Sequence, residues 1–224
     1  MTIPTLIDKQ DTFEAVRDQL AVILAAESVN QVALATTASK PNPDDWKLRV
    51  FTERTNPWAE YDDDPTDVSP IVNVWFDNSN FDLGGSNVME RQKSEAVFNI
   101  DCYGYAKSQT DGGTGHLPGD QQAAFVVQRC IRLVRNILMA AEYTYLNLRG
   151  IVSSRSFRSI TVFQPQLDGQ QMQQVIGARM ACRVMFNEFS PQVAEEILEL
   201  VSIDIKRAEN GEILVEADYS YPLT

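Results

Sequence analysis

From Ser94 to Lys107 apolar and polar residues alternate. Ala96, Phe98, Ile100 and Cys102 share one parity, and Asn99, Asp101 and Tyr103 share the other. A period of two is that of a strand with one buried face. A glycine-rich stretch, Ser108–Gly119, follows, and beyond it the period changes. Val127, Ile131, Val134, Leu138 and Ala141 recur at helical spacing, widened by Val126, Cys130, Leu133 and Ile137. This predicts a long amphipathic helix over Asp120–Tyr145, with Asp120 as its N-cap. A half-buried strand feeding such a helix is the frame of an α+β domain.

Weaker patterns flank this segment. Asp11 and Glu14 have capping-box spacing ahead of Phe13, Val16, Leu20, Ile23 and Leu24, which predicts an N-terminal helix. Ser28 and Gln31 repeat the spacing, which predicts a second short helix, with Pro41 and Pro43 preventing its continuation. Residues 56–70 hold three prolines and the run Asp62–Asp67, and read as a loop. Ile71–Asp77 is predicted as a strand, with Val72, Val74 and Phe76 against Ile71 and Trp75. Phe81–Asn87, with Gly84 and Gly85, is a predicted flexible connection.

In the C-terminal third, Phe157–Gln164 alternates weakly, Ile160 and Val162 opposing Phe157, Thr161 and Phe163. Val175–Phe189 is the clearest strand: Ile176, Ala178, Met180, Cys182, Val184 and Phe186 oppose Arg179, Arg183 and Asn187. Ser190-Pro191 suits the start of a helical turn. Ile197, Val201, Ile203 and Ile205 then alternate toward Asn210-Gly211, a hairpin signal, with Ile213, Val215 and Ala217 returning. The predicted class is α+β: a mainly antiparallel sheet of four to six strands packed against one long amphipathic helix. Residues 1–65 form an N-terminal helical extension and acidic loop in this reading, and residues 66–224 the α+β domain.

Composition narrows the function. A hydrophobic content of 44% is that of a globular chain. No apolar run approaches the roughly 18–20 residues of a bilayer span, and no basic region precedes an apolar one at the N-terminus, so no membrane contact is expected. The net charge of -12, from 31 acids against 19 bases, repels nucleic acid and anionic lipid. Such a surface serves solubility, or a path along which DNA slides without sticking.

Candidate chemistry is sparse. Cys102, Cys130 and Cys182 share no metal-ligand spacing and read as reduced core thiols. The loop with Gly112, Gly113 and Gly115 lacks the Lys-Ser/Thr of a phosphate-binding loop, and Asp62–Asp67 lacks the glycine and terminal glutamate of an EF-hand. His116 is the single histidine, and no Gly-x-Ser-x-Gly elbow occurs. The expectation is a non-enzyme without metal or cofactor. A small hydrolase using carboxylates such as Asp101 and Glu95 is the distant alternative. Arg129, Arg132 and Arg135 repeat every third residue along the helix. They are either a solvated edge or the complement of an acidic surface on a neighbouring copy, for which Asp62, Asp63, Asp64 and Asp67 are the candidates.

Three segments, Pro70-Ile-Val-Asn-Val-Trp-Phe-Asp77, Ala96-Val-Phe-Asn-Ile-Asp-Cys-Tyr103 and the helix Ala123–Tyr145, together with the element order, resemble the phage tail terminators. The resemblance covers roughly residues 65–220, and residues 1–65 exceed what a minimal member needs. It implies an α+β subunit of the virion neck that assembles as a ring, usually hexameric. Such a ring caps the tail tube, faces the head-tail connector or adaptor, meets the sheath where one exists, and lets DNA pass without specific binding. Because glycine backbones are permissive, at least one of the two loops, with Gly84 and Gly85 or with Gly112, Gly113 and Gly115, is expected to become ordered against the tail tube or an adjacent copy. A tail-tube subunit or head-completion adaptor is the nearest alternative.

Overall fold

A computed structural model describes residues 10–64, 66–81, 91–110, 115–167, 170–171, 174–189, 200–206 and 213–220. The chain is α+β, and helix α1 (Thr12–Thr37) opens it with the predicted capping box: the Asp11 N–H donates to the Glu14 carboxylate at 2.9 Å. It does not break at Ser28. That serine is 4% exposed, and its hydroxyl accepts the Leu48 N–H at 2.7 Å. The hydroxyl that resembled a second cap is engaged by a tertiary partner instead, so one helix runs through.

A 3-10 turn, Pro43–Trp46, leads to strand β1 (Arg49–Thr52). The predicted loop at 56–70 holds a 3-10 turn, Pro57–Ala59, and a one-turn helix α2 (Glu60–Asp63). Strands β2 (Ile71–Phe81) and β3 (Arg91–Tyr105) follow. The ends of the glycine-rich stretch pair as β4 (Gln109–Thr110) and β5 (His116–Leu117). Gly84, Gly85, Gly112 and Gly113 lie outside the described residues, as do Ser190-Pro191 and Asn210-Gly211.

Helix α3 (Gly119–Met139) starts after Pro118, which occupies the cap position. Asp120 is therefore inside the first turn rather than at the cap. The helix also ends six residues before Tyr145, and a 3-10 turn, Ala141–Tyr143, succeeds it. A long-range contact marks that end: the Arg155 guanidinium donates to the Leu138 carbonyl and to the Ala140 carbonyl, the latter at 2.7 Å. These are carbonyls that a helix end leaves without an internal partner.

Strands β6 (Val152–Phe163), β7 (Gln166–Leu167), β8 (Gln170–Gln171) and β9 (Val175–Phe189) complete this part of the chain. The main sheet has the order β1-β2-β3-β9-β6; β1 and β2 are parallel and every other pair antiparallel. In β6 an irregularity between Phe157 and Ser159 changes the phase. Phe157 pairs with Cys182, Ile160 with Met180 and Val162 with Ala178, so all three share a face. The weak alternation had set Phe157 against the other two, and the extra residue of a bulge reverses that.

Two helices, not one, cover a single face of this sheet. Val16, Leu20, Ile23 and Leu24 of α1 and Val127, Val134 and Leu138 of α3 meet Val74, Phe98, Ile100, Met180 and Cys182 in one buried cluster. Gly104 lets α3 approach: a Cβ there would lie 2.6 Å from the Ala123 carbonyl oxygen. All three cysteines are free and buried. Burial pushes the Cys182 thiol up to about 12.

The compact units do not divide at 65/66. One spans Lys9–Ser190, so α1 and β1 belong with the sheet. The other contains β10 (Leu200–Lys206) and β11 (Ile213–Ser220), an antiparallel hairpin with Val201 opposite Tyr219 and Ile203 opposite Ala217.

Candidate assembly surfaces

The sheet face away from α1 and α3 is built around a charge. Asp101 is 2% exposed and stands opposite Arg179 in the β3–β9 ladder. Arg179 donates to both its oxygens, Nε to Oδ1 at 2.8 Å and Nη2 to Oδ2 at 2.9 Å. The Trp75 indole N–H and the Tyr103 hydroxyl donate to Oδ2 at 3.0 and 3.3 Å. The Arg179 guanidinium lies 4.7 Å from the Trp75 ring centroid and 5.6 Å from that of Phe163. A buried carboxylate is tolerable only when so fully bonded. Burial and then the Asp101 charge push the Tyr103 hydroxyl well up, and the bond to Asp101 raises Arg179. A groove of about 320 Å³ lies over this network, with Trp58, Trp75, Tyr103 and Phe163 in its walls.

Glu95 lies farther along β3 and is held by Arg158, at 2.5 Å, and by Arg183. Six strand residues separate it from Asp101, a span of about 20 Å. The two carboxylates therefore do not converge. Each is paired with arginine. His116 is exposed on β5, opposite Thr110. Among the described residues no group of three or more His, Cys, Asp or Glu is placed to hold a metal ion.

The three arginines of α3 do not act together. Arg129 is taken by its own chain: its Nη1 is 2.7 Å from Asp45, and its guanidinium lies 5.5 Å from the Trp46 ring centroid. Arg132 and Arg135 are exposed, and neither makes an ion pair among the described residues. With Arg132 on the helix's outer side stand Phe125 and Met139, each 55% exposed. The spacing Phe125–Arg132–Met139 is seven residues, so the three form a nearly straight row with steps of about 10 Å. The apolar periodicity did not mark this row, since Phe125 and Met139 are apolar but out of phase with the buried stripe.

The acidic segment also divides. Asp67 pairs with Lys47 at 2.9 Å and accepts the Ser69 N–H at 3.0 Å. Asp64 accepts from the Thr66 hydroxyl and N–H at 2.6 and 3.1 Å, a local turn that holds its carboxyl below the usual range. Asp62 and Asp63 on α2 are exposed, with no ion pair among the described residues. Beneath them Tyr61 is buried with Trp58, Ile71, Tyr103 and Val175, and its hydroxyl donates to the Tyr103 carbonyl at 2.9 Å. Gly115, the described glycine of the two loops, is exposed beside β5.

Two further features bear on partners. β6 is an edge strand of twelve residues, and on it Ile160 and Val162 are 47% and 59% exposed. The opposite edge, β1, has only four residues. Helix α1 is long and apolar enough by length and composition to cross a bilayer, which the reading of apolar runs had not anticipated. Its inner row is part of the core, while Val22, Val29 and Leu34 face outward. No family model matches the chain, and no curated protein matches it either.

Proposed function

We propose that the chain is a structural subunit of a tailed-phage neck, a tail terminator that closes into a ring on the tail tube and meets the head connector. The observation that supports it best is the long edge strand β6, which no strand covers among the described residues. Its Ile160 and Val162 are exposed, while two irregularities and the charges of Arg155 and Arg158 interrupt it. Such an edge is expected of a subunit whose edges and faces are covered by neighbours. The acid excess suits a conduit, because basic residues lining it would hold phosphates. Paired carboxylates and buried thiols suit a part with no reaction of its own.

Cryo-electron microscopy of virions tests this. The expected result is density for the chain as a single ring between tail tube and connector. Finding it in the capsid shell or baseplate would overturn the reading. Open-ended tubes of the purified protein would favour a tail-tube subunit.

A further inference from the structure

Two patches of opposite charge have no ion-pair partners among the described residues, and the sheet separates them. One is the outer row of α3, where Arg132 and Arg135 stand between Phe125 and Met139. The other is the α2 turn, with Asp62 and Asp63. Alternation along β3 sets their sides: Ile100 and Cys102 lie under α3, whereas Tyr103 emerges opposite and packs against Tyr61 of α2. The sheet therefore keeps the two patches apart within one copy.

We propose that the outer row of α3 in one copy docks on the α2 turn of the next, with Arg132 and Arg135 against Asp62 and Asp63. The proposal rests on the reading that the chain assembles with itself, and it names the contact. At a net charge of -12, copies repel, and they approach most easily where one presents bare arginines to the other's bare acids. Phe125 and Met139 supply apolar area at either end of the arginines, and an arginine set among large apolar side chains is the composition of an interface centre.

The placement also dictates symmetry. A two-fold contact uses the same patch on both partners, and patches on opposite faces cannot both enter it. The contact is therefore head-to-tail, which yields a ring if the rotation closes and a filament if it does not.

A charge exchange tests this in the full chain. Wild-type protein at low salt should sediment as an oligomer that disperses as salt rises. Arg132→Glu with Arg135→Glu, and separately Asp62→Lys with Asp63→Lys, should each weaken self-association by about tenfold or more, with melting temperature unchanged. Mixing the two variants should restore assembly, because every junction between unlike copies then joins opposite charges. A wild-type chain that stays monomeric at high concentration and low salt, variants that assemble normally, or a mixture without recovery would each overturn the contact. Normal rings from the variants would leave the neck assignment standing. Recovery in the mixture, with the chain located outside the neck, would do the reverse.

Discussion

The two faces of the main sheet are held by different physics. Under α1 and α3, side chains such as Phe98, Ile100 and Met180 are fully buried among apolar neighbours, and any well-packed set of similar volume would serve. On the other face Asp101 is as deeply buried but has four specific hydrogen bonds, which exist only if β3 and β9 are in one register. A one-residue slip would move Arg179 away from Asp101 and expose the charge to an apolar neighbour. The covered face thus supplies most of the stability. The polar face supplies a penalty for the wrong pairing and carries the groove and the α2 acids, whereas Arg132 and Arg135 stand on the outer side of α3.

Four changes would break or sharpen that contrast. Phe98→Ala should cost about 4 kcal/mol in denaturant unfolding, since the side chain is enclosed by both helices and the sheet. A loss below about 2 kcal/mol would show a core that collapses around the gap. Asp101→Ala should cost about 3 kcal/mol, because Arg179, Trp75 and Tyr103 lose a shared acceptor. Replacing the pair together, Asp101→Leu with Arg179→Met, should recover most of that stability. If the double variant were no better than the single one, the ion pair would be contributing net stability as well as register.

Gly104→Ala tests how closely α3 must sit. Its Cβ would fall 2.6 Å from the Ala123 carbonyl oxygen and 2.8 Å from the Val127 nitrogen, both backbone atoms. A loss of about 2 kcal/mol is expected, read by thermal melting; an unchanged melt would mean that the helix layer can slide without cost.

The smallest effect is a pH dependence at Asp67. Burial pushes this carboxyl up, but hydrogen bonds from Ser69 and Lys47 outweigh it and hold the group well below the usual carboxylate range. A folded-state value below the unfolded one means that stability is complete above about pH 4 and is lost as the pH falls toward the folded value. Asp67→Asn should remove about 1 kcal/mol at neutral pH and flatten part of the acid limb of a melting-temperature profile. Parallel profiles for the two proteins would discard this linkage.

Local pattern was a good guide where one face of an element was buried along its whole length. β3, β9 and the inner stripe of α3 follow directly from the positions of Phe98, Met180 and Val134, because a period of two or 3.6 is written within a few residues. It failed where a distant group decided the outcome. Ser28 has the chemistry of a cap but is engaged by Leu48, so two expected helices are one. Phe157 changes side through an irregularity that depends on pairing with β9.

The candidate surfaces divide in the same way. Arg129, Arg132 and Arg135 were legible as a row, yet Asp45 and Trp46, more than eighty residues earlier, remove Arg129 from it. Phe125 and Met139 joined the remaining arginines only once the buried side of α3 was known.

Alone, the residue order settled the α+β class, the strand parity of the core, the acid excess and the cysteines' apolar setting. Tertiary structure decided the sheet order, the partner of every buried charge and the side on which each bare charge emerges. The reason is the range of the forces. Alternation and helical spacing are set by backbone geometry between near neighbours. Asp101 with Arg179, and Arg155 on the end of α3, are set by which distant segments can bury their apolar faces together, and no short window of sequence contains that choice.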